Sequence, residues 1–319
     1  MSQGVYKAID LFAGIGGIRL GFSQAFGRNI EFVFSSEVDK CACQTYKANF
    51  GDTPHGDITR IDEKDIPKHD ILLAGFPCQA FSIAGKRLGF EDTRGTLFFD
   101  IARIANYHKP KVIFLENVKG LVGHDKGNTF KVINQTLEDF GYKVFSKILN
   151  AKDFGVPQNR ERIYIVAFLD NSVVFEFPNG FKLETKISDM LEEKVTTKYY
   201  YNGKPLFDKL KNHITNENTI YQWRRHYVRE NKNEVCPTLT ANMGTGGHNV
   251  PIIKDKYGIR KLTPRECANF QGFPKDFILP TNLADSHLYK QCGNSVTVGV
   301  IEKIAKSIKN HIKGLNNVL

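Results

Sequence analysis

Short apolar runs alternate with helical patterns through the first 140 residues, and this alternation restricts the fold more than any other feature of the chain. The β-rich runs are YKAIDLF, EFVFSSE, DILLAG and VIFLEN, and helical patterns follow them at 18–26, 39–49, 96–107 and 128–140. This rhythm predicts an α/β protein with a doubly wound, mostly parallel sheet. Two further β-rich runs, KVFSKILN and RIYIVAF, are expected to extend the sheet as a hairpin-like edge.

The character of the chain changes after FEFPNG, and short segments rich in Tyr, Asn, Lys and Gly follow. A final helix is predicted from apolar residues at 296, 298, 300, 301, 304, 305, 308 and 312, because this spacing places them on one face. That helix is expected to dock on the main sheet. The predicted division is a main domain at 1–182 plus 285–319, a smaller loop-rich domain at 183–262 and a hinge at 263–284.

The net charge of +10 is concentrated in the second part of the chain. Residues 1–180 contain 22 Lys and Arg against 21 Asp and Glu, whereas residues 181–319 contain 22 against 13. An excess of basic residues on one segment favours a polyanionic partner, nucleic acid first. A basic surface that serves only solubility explains the charge equally well.

Composition argues against several other classes of protein. The six cysteines include no C-x-x-C pair and no His at zinc-ligand spacing, so neither a metal site nor a disulfide framework is predicted. The longest apolar runs, such as IYIVAFL, are far shorter than the ~20 residues that a membrane helix needs. The N-terminus has no apolar signal segment, so we expect a protein inside the cell that makes no membrane contact.

Three glycines, Gly14, Gly16 and Gly17, lie between the first predicted strand and the first helix. Glycine lets the backbone turn tightly and approach a ligand, and a helix N-terminus favours electron-rich atoms. Glu37 ends the second strand and is the kind of acid that holds a ribose diol, while Asp57 is suited to accept from an adenine amino group. Together these residues predict an adenosine-containing cofactor. Each acid alone is also explained as a surface or capping residue.

Cys78 lies in the loop after the buried run DILLAG, at the strand end where open α/β sheets bind ligands. A nucleophilic Cys needs its thiolate, and positive charge from Arg160 or Arg162 would lower the thiol pKa. Glu116 ends another strand in ENV, where burial would raise its pKa enough to let it share or donate a proton. The four residues predict attack on a ring and protonation of that ring. Read singly, they are also explained as a buried thiol, a helix cap and surface ion pairs.

Seven motifs together resemble the bacterial DNA cytosine-5 methyltransferases of type II restriction–modification systems. They are DLFAGIGG, GFPCQAFS, GTLFFD, ENV, QNRERIY, RECANFQGFP and GNSV, and they follow the family's order over essentially the whole chain. Only the segment around 183–250 lacks a diagnostic match, and in that family it is the variable target-recognition region. The resemblance implies duplex DNA as substrate and a cognate endonuclease that acts on the same site without direct binding. We expect the enzyme to act as a monomer in the bacterial cytoplasm, associated with the nucleoid.

The resemblance assigns the four catalytic candidates to a covalent mechanism. Cys78 would add to carbon 6 of an everted cytosine, so that carbon 5 can attack a sulfonium methyl group. Glu116 would contact the ring N3 and the exocyclic amine, and Arg162 would hold the ring O2. Arg160 would organise the pocket formed by Cys78 and Glu116.

The methyl donor implied by the resemblance is S-adenosylmethionine, which leaves as S-adenosylhomocysteine; no metal is implied. The residues expected to bind it are Phe12, Gly14, Gly16, Gly17, Glu37, Val38, Asp57, Ile58, Leu97, Asn294 and Ser295. Phe12 would pack on the adenine, Glu37 would hold the ribose, and Asp57 would accept from the adenine amino group. Val38 and Ile58 would line the adenine slot, and the last three residues of the set would close the pocket.

DNA contacts are expected from the loop after Cys78, which would close over the everted nucleotide, and from the second domain. The expected residues are Gln79, Ser82, Lys86, Arg87 and Arg94 in the loop, and Arg224, Arg225, Arg229, Thr238 and Thr240 in the second domain. Trp223 is expected to be a core residue of that domain rather than an intercalating wedge.

Two other functions fit part of the pattern. An RNA cytosine-5 methyltransferase of the tRNA-modifying branch would use the same motifs, but the Cys-Phe-Thr element of that branch is absent. A catalytically silent nucleic-acid-binding regulator would keep the basic domain, but the intact set of Cys78, Glu116 and Arg162 argues against it. The sequence leaves open which DNA site is read and which base removes the C5 proton.

Overall fold

The computed structural model describes residues 4–77, 97–231, 233–245 and 249–315. Six predicted site residues lie outside the described residues, namely Cys78, Gln79, Ser82, Lys86, Arg87 and Arg94. The strand that ends before them and the helix that begins after them are both described.

A six-stranded sheet forms the centre of the molecule, in the order β2-β1-β3-β4-β7-β5. The strands are β1 (Tyr6–Leu11), β2 (Ile30–Ser36), β3 (Ile71–Gly75), β4 (Val112–Val118), β5 (Lys143–Asn150) and β7 (Glu161–Phe168), and a two-residue strand β6 (Gln158–Asn159) lies outside this sheet. β1 to β4 pair in parallel, whereas β7 is antiparallel to both β4 and β5. The predicted doubly wound sheet with a hairpin-like edge is therefore confirmed.

Four helices each follow one of the strands β1 to β4. They are α1 (Gly17–Phe26), α2 (Lys40–Phe50), α3 (Leu97–His108) and α4 (Asn128–Asp139), and each end agrees with the predicted span to within one residue. α3 and α4 bury their apolar faces in a cluster on one side of the sheet, while α1 packs on the other side. The apolar runs of β1, β3 and β4 are buried from both faces, as parallel strands between helices require.

The C-terminal helix α8 (Val298–Leu315) packs beside α1 on the sheet. All eight apolar residues of the predicted face are buried, from Val296 to Ile312. Each large aliphatic side chain buried in this way contributes roughly 1.5–3 kcal/mol. The predicted docking of this helix is confirmed. Across the described part of the chain, no helix is long and apolar enough to cross a membrane.

The region after residue 180 contains a second, antiparallel sheet in the order β12-β11-β8-β9. Its strands are β8 (Ile220–Trp223), β9 (Val228–Asn231), β11 (Ile252–Asp255) and β12 (Gly258–Lys261), and a short helix α5 (Phe207–Leu210) precedes them. Leu210, Tyr221 and Ile259 belong to its small hydrophobic cluster, and Trp223 packs against that cluster half-buried. The core position expected for Trp223 is confirmed. The sheet itself was not predicted, because its four-residue strands carry no clear alternation.

A buried ion-pair network connects the small sheet to helix α6 (Pro264–Asn269). Arg260 in β12 is 1% exposed and contacts Glu266 at 2.8 Å and Asp255 at 2.6 Å. Glu266 also accepts from the backbone N–H of Thr263, whose side chain caps the helix in return. Since a buried charge is costly without a partner, this network holds the sheet and the helix in one arrangement.

One stretch of the second region packs directly on the first. Strand β10 (Cys236–Pro237) pairs in parallel with β6, and Leu239 and Met243 share a hydrophobic cluster with Ile15 from the glycine loop. Helix α7 (Asp285–Asn294) contributes Cys292 to the same cluster. Residues from both regions therefore build one continuous core next to the carboxyl edge of the large sheet.

Candidate active site

A cavity of about 370 Å³ opens at the carboxyl edge of the four parallel strands. Phe12 follows β1, Glu37 follows β2 and Pro77 follows β3, and all three line it. Glu116, near the end of β4, lines the opposite wall. The order β2-β1-β3 places the switch in strand order at this point, which is where ligands bind in open α/β sheets. The cavity is also within the size range of small-molecule sites.

The glycine loop places the start of helix α1 against the cavity. Gly14 and Gly16 have φ angles of 55° and 84°, in the left-handed region that glycine adopts without strain. A side chain on Gly17 would come within 2.8 Å of the Ser295 hydroxyl, so glycine there allows the helix and the GNSV turn to touch. The first N–H groups of α1 have no partner inside the helix and favour a negatively charged ligand group.

The Glu37 carboxylate is held in place by two backbone donors. Gly14 N–H donates to Oε2 and Asp39 N–H donates to Oε1, each at 2.8 Å. Each carboxylate oxygen keeps a further lone pair for a ligand hydroxyl. Val38, next to it, is 68% exposed and lines the cavity, although it is apolar. This pairing of an oriented acid with an uncovered apolar side chain is suited to a ribose and its attached base.

The residues present fit the adenosyl and amino-acid parts of S-adenosylmethionine. Phe12, Val38 and Leu97 supply apolar walls, and Glu37 supplies the oriented carboxylate. The Nε2 of Gln291 is buried beside the cavity without a hydrogen-bond partner among the described residues, so a donor is left for a ligand. Asn294 and Ser295 also line the cavity, together with Gly14 and Gly17.

Three predicted cofactor residues do not line the cavity. Ile58 is 2% exposed and packs in the core beneath α3. Asp57 caps a short 3₁₀ helix instead, accepting from the Thr59 hydroxyl at 2.8 Å and from its N–H, and these bonds lower the Asp57 pKa. Gly16 packs against the ring of Phe50, where no side chain would fit. Its left-handed φ places it at the turn into α1 rather than at the cavity wall.

Glu116 and Arg162 form a buried ion pair in the cavity wall. The Arg162 Nε lies 3.1 Å from the Glu116 Oε1, and the two side chains are only 13% and 11% exposed. Glu116 is directly opposite Gly75, the last residue of β3, in the strand register. Burial raises the pKa of the Glu116 carboxyl, while Arg162 and then Arg160 oppose that rise. The Glu116 carboxyl therefore releases its proton at a higher pH than an exposed glutamate would.

Arg160 is buried and donates to backbone carbonyls of two other parts of the chain. Its guanidinium is 3% exposed and donates to three backbone carbonyls, at Leu239, Gly293 and Ser295. The resemblance implies that Arg160 organises the pocket formed by Cys78 and Glu116, and Arg160 lines the same cavity as Glu116. Its described hydrogen bonds go to the second region and to the GNSV turn. Burial lowers the pKa of Arg160 to about 9, helped by the like charge of Arg162.

Asn117 is a site residue that sequence reasoning missed. It is 3% exposed, and its Nδ2 donates to the Phe76 carbonyl at 2.8 Å while its Oδ1 accepts from the N–H of Val118. These bonds fix the backbone just beyond β3, one residue before Pro77. The motif ENV did indicate such a role for Asn117, since a polar amide near the end of a buried strand must find hydrogen-bond partners.

An ion pair in the cavity lining was also missed by the sequence analysis. Lys290 in α7 contacts Asp39 at 2.8 Å, and both residues line the cavity. Asp39 also caps α2 by accepting from the N–H groups of Cys41 and Ala42. The ion pair thus connects the first βαβ unit with the C-terminal part of the chain.

The predicted DNA-binding residues of the second region lie on two separate elements. Arg224, Arg225 and Arg229 are exposed on the β8–β9 hairpin. Thr238 donates from its hydroxyl to the Asn159 carbonyl at 2.6 Å, while Thr240 is exposed and bonds the side chain of Asn242. Within the described ranges, no group of three His, Cys, Asp or Glu residues could hold a metal ion.

Comparison with known proteins agrees with this geometry. A family model described as C-5 cytosine-specific DNA methylase matches residues 6–310. The type II methyltransferase M.Bsp6I of Bacillus sp. (strain RFL6) is 56% identical over 308 residues, covering 94% of this chain and 97% of the relative. M1.ScrFI of Lactococcus lactis subsp. cremoris is 50% identical over 307 residues, covering 95% and 78%.

The Dnmt2 methyltransferase of S. pombe has the same fold, with a TM-score of 0.76 and coverage of 98% of this chain and 99% of that one. At 19% identity this likeness concerns the fold alone. The family match extends over nearly the whole chain and includes every element that lines the cavity. The chain therefore belongs to the C-5 cytosine-specific DNA methylases.

Proposed function

We propose that this DNA cytosine-5 methyltransferase modifies one cytosine within a short, specific duplex sequence, by everting the base and bonding Cys78 to its carbon 6. The observation that carries the proposal is the buried Glu116–Arg162 pair beside the end of β3. Pro77, the residue bonded to Cys78, lines the same cavity. A thiol, a carboxyl whose pKa is raised by burial and a cation are the groups needed to activate a pyrimidine ring.

In the proposed reaction the Cys78 thiolate forms a bond to carbon 6. The electrons of the C5–C6 double bond then make carbon 5 nucleophilic, and carbon 5 takes up the methyl group. The bound cofactor supplies that methyl group as an electrophilic sulfonium methyl. Loss of the C5 proton restores the double bond and expels the Cys78 thiolate, which returns the enzyme to its starting state.

Glu116 and Arg162 have complementary roles in this proposal. Because burial raises its pKa, Glu116 gives up its proton at higher pH than an exposed acid would. It donates to the ring N3 as electrons move onto the ring, and it takes this proton back when the C5–C6 double bond forms again. Arg162 lies beside it and donates to the ring O2. Both groups act where charge develops, in a site with little water, so their interactions are strong.

The cofactor site is proposed to bind S-adenosylmethionine along the glycine loop. Glu37 accepts from the ribose hydroxyls, and Phe12 and Val38 enclose the adenine. The first N–H groups of α1 and the GNSV turn hold the amino-acid end, where the carboxylate favours the helix N-terminus. The apolar cavity walls support this orientation.

Duplex DNA is the proposed substrate because a small cavity at the sheet edge can reach carbon 6 only after the base has left the stack. The loop that closes over the everted nucleotide would be residues 83–95, with Lys86, Arg87 and Arg94 near phosphates. We propose that 1–182 plus 285–319 form the catalytic domain, 183–262 the recognition domain and 263–284 the hinge, and the separate small sheet supports this division. The enzyme would act as a cytoplasmic monomer, with a cognate endonuclease recognising the same site independently.

Bisulfite sequencing of DNA from cells that express the protein tests the activity and identifies the target. The expected result is that one cytosine of one short sequence resists bisulfite conversion almost completely. This resistance should be lost in cells that express Cys78→Ala. Labelled methyl incorporation into duplex DNA and into tRNA, compared in parallel, tests the RNA alternative. Incorporation into tRNA alone, or methylation by Cys78→Ala, would contradict the proposal.

A further inference from the structure

We propose that Arg160 couples DNA binding to cofactor binding by holding two chain segments in register. The first is the docked segment, residues 238–241, and the second is the cofactor turn, residues 293–295. The inference rests on the proposed function, because it takes the docked segment to face DNA and the cofactor turn to close on S-adenosylmethionine. It gives Arg160 a positioning role, distinct from that of Arg162.

The docked segment is held by three consecutive residues of the first region. Gln158 Oε1 accepts from the Leu239 N–H at 3.1 Å, and the Asn159 carbonyl accepts from the Thr238 hydroxyl at 2.6 Å. Arg160 then donates from Nη1 to the Leu239 carbonyl at 2.8 Å. The QNR tripeptide therefore bonds both backbone groups of Leu239 and fixes the segment on the catalytic side of the molecule.

The same guanidinium also holds the cofactor turn. Its Nη2 donates to the carbonyls of Gly293, at 3.2 Å, and Ser295. The turn lies directly against the docked segment, since a side chain on Gly293 would overlap the backbone of Thr240 and Ala241. Ser295 in turn lines the cavity. Arg160 thus donates to both segments, the docked segment and the cofactor turn, where their backbones lie in close contact.

The electrostatics make these bonds costly to break. Arg160 is 3% exposed, and its described hydrogen-bond partners are carbonyls rather than a carboxylate. Its Nε has no partner within the described part of the chain. A buried guanidinium that loses a carbonyl leaves a donor unsatisfied, so displacement of either segment is penalised through the other. Ordering of one segment by its ligand therefore lowers the cost of ordering the other.

Lysine cannot reproduce this arrangement. Its ammonium group is a single compact charge, whereas the planar guanidinium donates from separate nitrogens to acceptors on two segments. Arg160→Lys keeps the charge and removes the connection. Coupling between binding sites is typically 5–150-fold, and we expect about 10-fold here.

The test measures S-adenosylhomocysteine affinity by calorimetry, with and without a duplex that carries the target found by bisulfite sequencing. In the wild type, the duplex should tighten binding about 10-fold, and S-adenosylhomocysteine should tighten duplex binding by the same factor. In Arg160→Lys both factors should fall to about 1–2, while each ligand alone binds within about threefold of wild type. The KM for S-adenosylmethionine should depend on DNA concentration in the wild type and become independent of it in the variant.

Arg265→Lys is the matched control, because Arg265 also donates to a backbone carbonyl, that of Phe277, and none of its described hydrogen bonds reaches either segment. It should keep the wild-type coupling. If Arg160→Lys is too unstable, Arg160→Gln removes the charge but keeps an amide donor, and it should also lose the coupling. Retained coupling in a folded Arg160 variant would overturn the inference, as would equal loss in Arg265→Lys. A wild type that methylates duplex DNA but binds the ligands independently would overturn the inference alone, whereas failure to methylate would overturn the proposed function as well.

Discussion

The sheet-edge cavity and the β8–β9 hairpin present their polar groups in opposite ways. In the cavity, Glu116 and Asn117 are buried and are oriented by an ion pair and by hydrogen bonds, and the half-buried Glu37 is held by backbone donors. On the hairpin, Arg224 and Arg229 extend into solvent. The first arrangement suits chemistry on a fixed atom, and the second suits contact with a polyanion whose sequence varies. Substitutions in the two regions should therefore differ in kind as well as in size.

Removal of the proposed nucleophile should have the largest effect. Cys78→Ala should lower methyl transfer by at least about 10⁴-fold, because no other group can form the bond to carbon 6, and should leave duplex affinity within a few-fold. Labelled methyl transfer and a binding titration measure the two quantities. Cys41→Ala, which removes a half-buried thiol, is the control and should retain activity. Substantial turnover by Cys78→Ala would eliminate covalent catalysis from the account.

Replacement of the buried Glu116 carboxyl by an amide should have the second largest effect on activity. Glu116→Gln should lower kcat by about 10²–10³-fold, since a preorganised group that stabilises charge on the ring is lost. Single-turnover methyl transfer is the appropriate measurement. Glu161→Gln provides a matched change on the neighbouring strand, at an exposed acid paired with Lys119, and should alter kcat less than about twofold. Equal losses of kcat in both variants would mean that the buried Glu116–Arg162 pair contributes no more to catalysis than the Glu161–Lys119 pair.

The β1 strand beneath the glycine loop contains a buried acid that makes stability depend on pH. Both carboxylate oxygens of Asp10 are buried without a hydrogen-bond partner in the described ranges, and burial raises its pKa to about 7, with Arg19 opposing. A carboxyl whose pKa is higher in the folded state than in the unfolded state makes its full contribution to stability below the unfolded-state pKa. That contribution is lost as the pH rises towards 7. Wild-type protein should therefore lose about 2 kcal/mol of unfolding free energy between pH 5.5 and pH 8 through this group.

Asp10→Asn should abolish that loss, because the amide does not titrate. Denaturant unfolding at several pH values measures it. Asp139→Asn, at an exposed acid of α4, should keep the wild-type pH dependence. An identical slope in Asp10→Asn and wild type would show that Asp10 does not bind a proton on folding. This result would remove one buried titrating group from the catalytic region and would weaken the contrast between the two regions.

Charge removal on the hairpin should have the smallest effect on chemistry. Arg224→Ala combined with Arg229→Ala should weaken duplex binding by about tenfold and lower the salt slope by about 2, with kcat unchanged at saturating DNA. Arg28→Ala combined with Lys131→Ala removes two exposed charges elsewhere and should change neither quantity. A fall in kcat for the hairpin variant would mean that the two regions do not divide the work as proposed.

Much of the catalytic region was predictable because its signals are local. The alternation of apolar runs determines the parallel sheet, and in such a sheet the strand ends Leu11, Ser36, Gly75 and Val118 must meet at one edge. The placement of Glu37 and Glu116 at the cavity follows directly. The buried face of α8 was also predictable, since the spacing of its apolar residues places them on one side of a helix.

Other features depended on contacts between distant residues and carried no local signal. Arg160 bonds to Leu239 and Ser295, which are 79 and 135 positions away in the chain. Asp57 precedes a short 3₁₀ helix that uses its carboxylate as a cap, and Ile58 turns into the core. The small sheet has four-residue strands, whose pairing is set by tertiary packing more than by propensity.

The amino-acid sequence alone determined the fold class, the family and the chemical groups available at the sheet edge, because strand and helix periodicity and motif order are properties of neighbouring residues. Only the tertiary structure decided which of the two QNRER arginines pairs with Glu116, which segments Arg160 connects and which predicted residues reach the cavity. The physical reason is that a buried charge must find its partners in three dimensions, and those partners come from parts of the chain that no local pattern relates.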